Sequence, residues 1–335
     1  MESLQQKSLT TRRSFKYTYY VSSSGETTKQ RPALFFIHGF PDSAHLWTDV
    51  IAKLSDLPNK LIIPDCLGYA GTDKPEDTSA YAYKDQADDL ADILMNEDAK
   101  CTIIIGHDWG SALVQRAYLH RPELYSGMII LNTGYMVPSG QHFDLAAVNE
   151  LTKKTWGYPQ FSYWEFFTAP DAPAIINGNL ERMWQVLHGD VEDWMKKLFC
   201  VPGAMRKFLL GSEEVPLKAY ARQPKWRERF LQQFQRDGFG PTLQMYKATA
   251  SNIQSRSDST IPREGLVIRV PLLFVICTKD AVCLPEMMIP AKSQGLVPDL
   301  KEVVVDSAHW SPMEKPDEIA AHIRDFVIDR FSILT

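Results

Sequence analysis

Long apolar runs are missing from this sequence of 335 residues. The longest ones, such as Ala33–Ile37 and Leu272–Cys277, are far shorter than the roughly 20 residues that a membrane-spanning helix requires. Residues 1–7 lack the apolar stretch of a secretory signal, and residues 333–335 match no peroxisomal or retention address. We therefore expect a protein without a membrane span, located by default in the cytosol.

Cysteine is scarce, and basic tracts are absent. The five cysteines are odd in number and scattered, without a Cys-x-x-Cys pair: Cys66, Cys101, Cys200, Cys277 and Cys283. We expect them to be reduced thiols that form neither disulfides nor zinc sites. The net charge is −5, and no long basic stretch is present, so neither nucleic acid nor an anionic membrane is expected as the main partner.

Short β-rich runs alternate with helical patterns along much of the chain, which is typical of a mostly parallel sheet covered by helices on both faces. Buried strands are predicted at 33–37, 61–64, 101–105, 128–131, 272–277 and 302–305, with edge strands within 8–21. Helical patterns occupy 83–95, 111–120 and 319–331. The length favours a single α/β domain with an insertion.

The alternation stops between residues 137 and 257, where no strand-like run occurs. Amphipathic helical patterns lie instead at 180–187, 193–199, 225–236 and 242–251. We interpret residues 138–257 as an inserted helical lid, which divides the α/β core into residues 1–137 and 258–335. The polar residues 255–260 are predicted to form the linker that returns the chain to the core.

Catalytic chemistry is first indicated by residues 106–110, Gly-His-Asp-Trp-Gly, which lie between a predicted strand and a predicted helix. A Gly-x-nucleophile-x-Gly turn of this kind is so sharp that small residues must flank it. Asp108 occupies the nucleophile position, where many hydrolases have a serine. Aspartate is also a favoured helix N-cap, so a capping role explains this motif equally well when it is considered alone.

Two downstream residues complete a possible triad. Asp280 follows the predicted strand 272–277, and His309 follows the last predicted strand. In hydrolases of this type the chain order is nucleophile, acid and base, which Asp108, Asp280 and His309 obey. A strand-end aspartate can simply begin a turn, and a lone histidine is more often structural. Three such residues at the carboxyl ends of separate strands favour catalysis. Other histidines lie in helical or surface contexts: His120, His142, His188 and His322.

Residues 37–42, Ile-His-Gly-Phe-Pro-Asp, follow the first buried strand. In this arrangement one N–H group of an oxyanion hole comes from the loop after that strand, here Phe40. The other comes from the residue after the nucleophile, here Trp109. Gly39 permits close approach of the backbone. An ordinary strand-to-helix turn would also fit, and the sequence leaves open whether the bond before Pro41 is cis.

Over nearly its whole length, the sequence resembles the soluble epoxide hydrolases of the α/β-hydrolase superfamily. The resemblance rests on His38-Gly39-Phe40-Pro41, residues 64–72, residues 106–110 and His309-Trp310. It implies an α/β-hydrolase fold with a helical lid and the hydrolysis of epoxides to diols. It also implies two lid tyrosines that hydrogen-bond the epoxide oxygen. Tyr163 and Tyr246 match in local context among the four lid tyrosines, which also include Tyr158 and Tyr220.

The chemistry of an epoxide explains why a carboxylate suits the nucleophile position. A serine would leave an ether that the site could not readily hydrolyse, whereas Asp108 leaves an ester. His309, oriented by Asp280, is expected to activate the hydrolytic water, so neither a metal nor an organic cofactor is required. A small hydrophobic epoxide is the expected substrate. Its predicted contacts are His38, Phe40, Pro41, Trp109, Trp164 and Trp310.

Three residues depart from the family pattern: Ala70 and Ser111 stand where glycine is frequent, and Trp164 where a smaller polar residue is common. We expect these differences to change the shape of the pocket. The first strand lies so near the start of the chain that an N-terminal phosphatase domain, present in some relatives, is not expected. Hydrolase activity alone is therefore predicted.

Two alternatives remain open at this point. A dehalogenase uses the same ester chemistry, although Phe40 stands where haloalkane enzymes commonly have asparagine. In a fluoroacetate-type enzyme, arginines are expected beside the nucleophile, where this chain has Trp109. The second alternative is a ligand-binding receptor that has kept the fold without turnover. The sequence determines neither the natural epoxide nor the oligomeric state.

Overall fold

The computed structural model describes residues 1, 4–23 and 27–331. Residues 2–3 and 332–335 lie outside this range, and part of the prediction about signals and addresses falls on them. Among the helices of the described residues, none has both the length and the apolar character needed to cross a membrane.

The described chain forms one eight-stranded sheet with the strand order β1-β2-β4-β3-β5-β6-β7-β8. The strands are β1 (Gln5–Thr10), β2 (Lys16–Val21), β3 (Ala33–Ile37), β4 (Leu61–Pro64), β5 (Thr102–His107), β6 (Tyr125–Leu131), β7 (Leu272–Cys277) and β8 (Leu300–Val305). β2 pairs with β1 and β4 in antiparallel fashion, and the remaining neighbours are parallel. The predicted α/β class with a mostly parallel sheet is confirmed.

Burial explains why the central strands were visible in the sequence. Every residue of β3, β4 and β5 is buried, because helices cover both faces of the sheet. The sequences of strands in that position are continuous apolar runs. In the edge strand β8, by contrast, buried and exposed residues are mixed. Since β3 and β5 to β8 run parallel, the segments that follow them meet at one edge of the sheet.

Six helices belong to the core: α1 (Thr48–Ala52), α2 (Tyr83–Asn96), α3 (Trp109–His120), α13 (Ile289–Ser293), α14 (Ser311–Glu314) and α15 (Pro316–Phe331). Between β6 and β7 the described chain has nine further helices: α4 (Leu145–Trp156), α5 (Tyr163–Phe167), α6 (Ala172–Asn177), α7 (Leu180–His188), α8 (Trp194–Phe199), α9 (Ala204–Leu210), α10 (Pro224–Asp237), α11 (Gln244–Ala250) and α12 (Ile253–Asp258). Short 3₁₀ turns occur at Ala44–Trp47, Thr78–Tyr81, Pro122–Leu124, Tyr220–Arg222, Pro241–Leu243, Arg263–Leu266 and Pro285–Met288.

The prediction that residues 255–260 form a linker is wrong, since α12 extends through Asp258. Two polar side chains of this segment, Ser257 and Asp258, are buried against the core helices. The Ser257 hydroxyl accepts a hydrogen bond from the Lys84 backbone N–H at 2.9 Å. Asp258 accepts two hydrogen bonds from the buried Arg116 guanidinium, at 2.9 and 2.7 Å. Ser257 and Asp258 are therefore polar because they bind residues that are distant in the sequence.

Candidate active site

The turn between β5 and α3 presents Asp108 at the carboxyl edge of the sheet. Its backbone adopts φ 56° and ψ −124°, an uncommon conformation for a residue with a side chain and one that concentrates at functional sites. The flanking glycines make this turn sterically feasible. A Cβ atom on Gly106 would lie 2.5 Å from the Gly110 carbonyl oxygen, so the strand and the helix could not approach as closely.

The Asp108 carboxylate is directed away from its own helix. It makes no capping hydrogen bond to the first turn of α3, so the alternative of a helix cap is wrong for this side chain. The Phe40 backbone N–H donates a hydrogen bond to Asp108 Oδ1 at 2.8 Å. Gly39 permits this contact, because a Cβ atom at that position would lie 2.5 Å from the same oxygen. The peptide bond between Phe40 and Pro41 is cis.

The structure brings the three predicted triad residues together. His309 Nδ1 lies 2.7 Å from Asp280 Oδ2, and His309 Nε2 lies 3.5 Å from Asp108 Oδ2. Both His309 and Asp280 are 4% exposed. Burial opposes protonation of His309, but the Asp280 charge and hydrogen bonds to both aspartates raise the pKa of the imidazole well above its ordinary value.

Asp280 is held by several donors besides the histidine. Asn132 Nδ2 donates to Oδ2 at 2.8 Å, and the backbone N–H groups of Val282 and Cys283 each donate to Oδ1 at 3.0 Å. Burial disfavours the charged carboxylate, but the His309 charge and these hydrogen bonds outweigh it and lower the Asp280 pKa. Asn132 was missed by the sequence analysis, although it directly follows β6, where a polar residue at a strand end could have been noticed.

The rings of the two predicted lid tyrosines pack edge to face near the Asp108 turn. Tyr163 begins α5 and Tyr246 lies in α11, and their ring centroids are 5.8 Å apart. The Tyr246 ring packs against Phe40 and Trp109, with centroids 5.2 Å from each. Burial, together with the nearby Asp108 charge, raises the pKa of both phenols well above the ordinary value. They therefore remain protonated hydrogen-bond donors across the neutral pH range.

A cavity of about 470 Å³ opens beside Asp108 and Tyr163. Its walls are largely apolar and include Trp109, Ala112, Met136, Val137, Phe143, Val148, Phe161, Trp164, Val282 and Met287. The Trp109 and Trp164 rings lie 5.4 Å apart at their centroids. Arg116 also lines the cavity, but Asp258 occupies its guanidinium through two hydrogen bonds. The cavity therefore suits an uncharged apolar ligand.

Four predicted substrate contacts require correction, because the cavity beside Asp108 is not lined by His38, Phe40, Pro41 or Trp310. His38 is 1% exposed, and its ring nitrogens face the Gly39 carbonyl at 2.9 Å and the Cys66 N–H at 2.9 Å. Pro41 lines a separate small cavity. Trp310 lines another cavity, of about 850 Å³, which His309 also borders. His38 and Trp310 make hydrogen bonds within the loops around the site. Trp109 and Trp164, by contrast, line the cavity beside Asp108.

The Phe40 backbone N–H donates a hydrogen bond to Asp108, and the Phe40 ring packs against the lid. The ring is 3% exposed and packs against Phe167 at 5.0 Å between centroids. The Trp109 N–H, which was predicted as the second oxyanion donor, directly follows Asp108 and keeps that role as a prediction.

The three departures from the family pattern have different structural settings. Trp164 lines the cavity, as expected of a residue that changes its shape. Ser111 is fully buried, and its hydroxyl donates to the carbonyls of Gly106 and Leu131 at 2.8 and 2.9 Å. Ser111 therefore links the Asp108 turn to β6 by hydrogen bonds, and its side chain does not line the cavity. Ala70 adopts φ 41°, the left-handed conformation that explains the frequent glycine at this position.

Asp42 is expected to make the stability of the folded protein depend on pH. Burial raises its pKa to about 7, although Trp310 Nε1 donates to its carboxylate at 3.2 Å. In the unfolded chain the Asp42 pKa is near ~3.9, so the folded state binds this proton more tightly. The stability that Asp42 contributes is therefore present at low pH and is lost as the pH rises towards 7.

We expect Asp42→Asn to stabilise the protein more at pH 8 than at pH 5, because the amide remains neutral at both values. The difference in the free energy of unfolding should be on the order of 2 kcal/mol. Chemical denaturation of both proteins at the two pH values measures it. Equal effects at pH 5 and pH 8 would contradict the buried, titrating carboxyl.

The sheet and the Asp108 turn define a hydrolase of the α/β class. The chain belongs to the α/β-hydrolase fold family, because the model of that family matches residues 32–316.

Relatives carry a more specific name. The chain is 27% identical to bifunctional epoxide hydrolase 2 of Rattus norvegicus over 290 residues, which cover 86% of this chain and 50% of the rat protein. It therefore spans about half the length of that relative. Epoxide hydrolase A of Mycobacterium tuberculosis is 28% identical over 309 residues, which cover 88% of this chain and 90% of that protein.

Solved structures agree with the fold. An epoxide hydrolase from an endophytic Streptomyces superimposes with a TM-score of 0.80 at 23% identity, covering 99% of this chain and 98% of the other. The crystal structure of epoxide hydrolase A from Mycobacterium thermoresistibile gives a TM-score of 0.76 at 24% identity, covering 96% and 98%. At these identities the similarity establishes the fold alone.

Proposed function

We propose that this protein is an epoxide hydrolase that converts hydrophobic epoxides to vicinal diols through an ester on Asp108. The observation that carries this proposal is the setting of the Asp108 carboxylate. It accepts the Phe40 N–H at 2.8 Å and lies 3.5 Å from His309 Nε2, near the paired tyrosines. The names of the relatives support the same activity. A cytosolic location stays a prediction.

In the first step, an Asp108 oxygen attacks an epoxide carbon, and the carbon–oxygen bond of the ring breaks. The released alkoxide takes a proton from Tyr163 or Tyr246, leaving a tyrosinate. Their raised pKa values make the phenols weak acids, so they stabilise the developing charge first as hydrogen-bond donors. The largely apolar walls of the cavity lower the local dielectric and thereby strengthen both interactions.

In the second step, His309 takes a proton from water, and the resulting hydroxide adds to the Asp108 carbonyl carbon. Esterification has by then weakened the hydrogen bond between His309 and the Asp108 carboxylate, one of the causes that raise the His309 pKa. The imidazole therefore loses its proton more readily and becomes a base. The N–H groups of Phe40 and Trp109 stabilise the oxyanion. Its collapse expels the diol oxygen, which takes the proton of the added hydroxyl, and regenerates the Asp108 carboxylate. The tyrosinate regains its proton from the His309 imidazolium.

The activity is tested by incubating the protein with a simple aryl epoxide and, separately, with chlorinated alkanes. We expect diol formation from the epoxide, because the cavity is apolar and its arginine is already paired. Halide release without diol formation would favour a dehalogenase. Binding of the epoxide without turnover would favour a ligand-binding receptor.

We expect Tyr163→Phe and Tyr246→Phe each to lower kcat for the epoxide by on the order of 10²-fold, the usual loss when one donor to a developing oxyanion is removed. Diol formation at saturating epoxide measures this. Tyr125→Phe is the matched control, because the Tyr125 hydroxyl is buried in β6 without a hydrogen-bond partner among the described residues. Unchanged kcat in both lid variants would refute the role of the tyrosines.

A further inference from the structure

Cys283 places a thiol in the reaction centre. One ligand atom from each of Asp108, Cys283 and His309 lies within 4.8 Å of the other two. These residues come from three separate segments, which follow β5, β7 and β8. We propose that they form a binding site for a soft divalent cation such as Zn²⁺ or Cd²⁺, which blocks the reaction centre reversibly.

The separation of the nitrogen and oxygen ligands is close to that of tetrahedral coordination. In a tetrahedral zinc site with bonds near ~2.0 Å to nitrogen and oxygen, those two ligands lie about 3.3 Å apart. His309 Nε2 and Asp108 Oδ2 are separated by 3.5 Å. A thiolate at ~2.3 Å from the metal would lie about 3.5 Å from the other two ligands. The Cys283 sulfur lies within 4.8 Å of an Asp108 carboxylate oxygen and a His309 ring nitrogen, and it must move closer to both to complete the site.

The surroundings of the three ligands have the features of a metal site. A ligating histidine generally donates its second ring N–H to a carboxylate, which fixes its orientation. His309 Nδ1 has this partner in Asp280 at 2.7 Å, and Asn132 in turn donates to Asp280 at 2.8 Å. The Cys283 sulfur lies 3.3 Å from the Thr133 hydroxyl.

A cation can reach this cluster from the cavity, because Asp108, Cys283 and Thr133 all line it. The donor set of one thiolate, one imidazole and one carboxylate favours zinc or cadmium over magnesium or calcium. Binding displaces the thiol proton of Cys283 and the proton on His309 Nε2, and both leave to solvent. This assignment revises the expectation from sequence that no cysteine ligates a metal.

The bound cation would occupy both the nucleophile and the base. Asp108 could no longer attack the epoxide, and His309 could no longer accept a proton from water. Inhibition rests on the proposed function, whereas cation binding does not. The two are therefore measured separately.

Binding is tested by titrating the wild-type protein, Cys283→Ser and Cys101→Ser with Cd²⁺ and following thiolate-to-metal charge transfer in the near ultraviolet. We expect a band that saturates at one equivalent in the wild type, is lost in C283S and remains in C101S. Serine keeps the size of the side chain, so the comparison isolates the sulfur. Absence of the band in the wild type, or its persistence in C283S, would overturn the site.

Inhibition is tested with Zn²⁺ during epoxide turnover. Loss of a residue that only supports a ligand weakens metal binding about 10- to 100-fold, so C283S should require at least ~10-fold more Zn²⁺ for half-inhibition. Equal sensitivity of C283S and the wild type would refute inhibition through Cys283. A Cd²⁺ band without epoxide turnover would retain the site and reject the proposed function, whereas turnover without the band would do the reverse.

Discussion

Asp108→Asn is expected to lower kcat for epoxide hydrolysis by on the order of 10⁴- to 10⁶-fold, the loss typical when a covalent nucleophile is removed. The amide has nearly the same shape and can still accept the Phe40 N–H, which lies 2.8 Å from Oδ1 in the wild type. It cannot form the ester, because it lacks a nucleophilic carboxylate oxygen. Steady-state diol formation, measured beside the thermal unfolding temperature, separates lost chemistry from lost folding.

Asp98→Asn is the matched control for this substitution. Like Asp108, Asp98 has a positive φ, of 51°, but it lies on the surface and pairs with Lys100 at 3.0 Å. Both variants therefore make the same chemical change at a residue with a positive φ. Activity of D108N within tenfold of the wild type and of D98N would show that Asp108 is not the nucleophile.

The second large effect is expected for His309→Gln, which should form the ester and fail to hydrolyse it. Glutamine cannot take the proton from water, so kcat should fall by on the order of 10⁴-fold. The first step does not require that proton transfer. Intact-protein mass spectrometry after mixing with epoxide should therefore show an added mass equal to that of the substrate, located on the peptide that contains Asp108.

His322→Gln provides the comparison for the trapping experiment. His322 lies in α15, outside the triad, and the same exchange there should give normal turnover without an adduct. If H309Q showed no adduct under conditions where it remains folded, the assignment of His309 to the hydrolytic step would be wrong. Accumulation in both variants would indicate reaction at sites other than the reaction centre.

The fold was largely predictable because the central strands leave a strong sequence signal. β3 and β5 are buried on both faces, so their apolar runs stand out between polar segments. The three triad candidates were identifiable for a related reason. Each follows a parallel strand, and the carboxyl ends of such strands share one edge of the sheet. Their order along the chain then gave the proposed roles of nucleophile, acid and base.

Packing between distant segments was not predictable from the same signals. His38 lies in the loop that supplies the Phe40 N–H, yet its side chain is directed into the core. Trp310 directly follows His309 but lines a different cavity from that of Asp108. Proximity in sequence to a catalytic residue therefore does not determine which side chains face the substrate. That outcome depends on side-chain direction and on the position of the lid.

Polar partners in the interior were missed for a related reason. Asn132 and Asp280 are separated by 148 residues and meet only in the folded sheet. Arg116 and Asp258 are separated by 142 residues, and their pairing attaches the end of α12 to the core. No periodicity or local motif marks such pairs. One sequence considered alone gives their residue types but not their contacts.

The ester on Asp108 is tested most directly by a single turnover in ¹⁸O-labelled water, with enzyme in excess over an aryl epoxide. Because the diol takes its new oxygen from Asp108, the first diol should be unlabelled. The carboxylate should gain one ¹⁸O when water attacks the ester carbonyl, and peptide mass spectrometry locates that label. Full labelling of the first diol, with Asp108 unlabelled, would mean that water attacks the epoxide directly and would contradict the covalent mechanism.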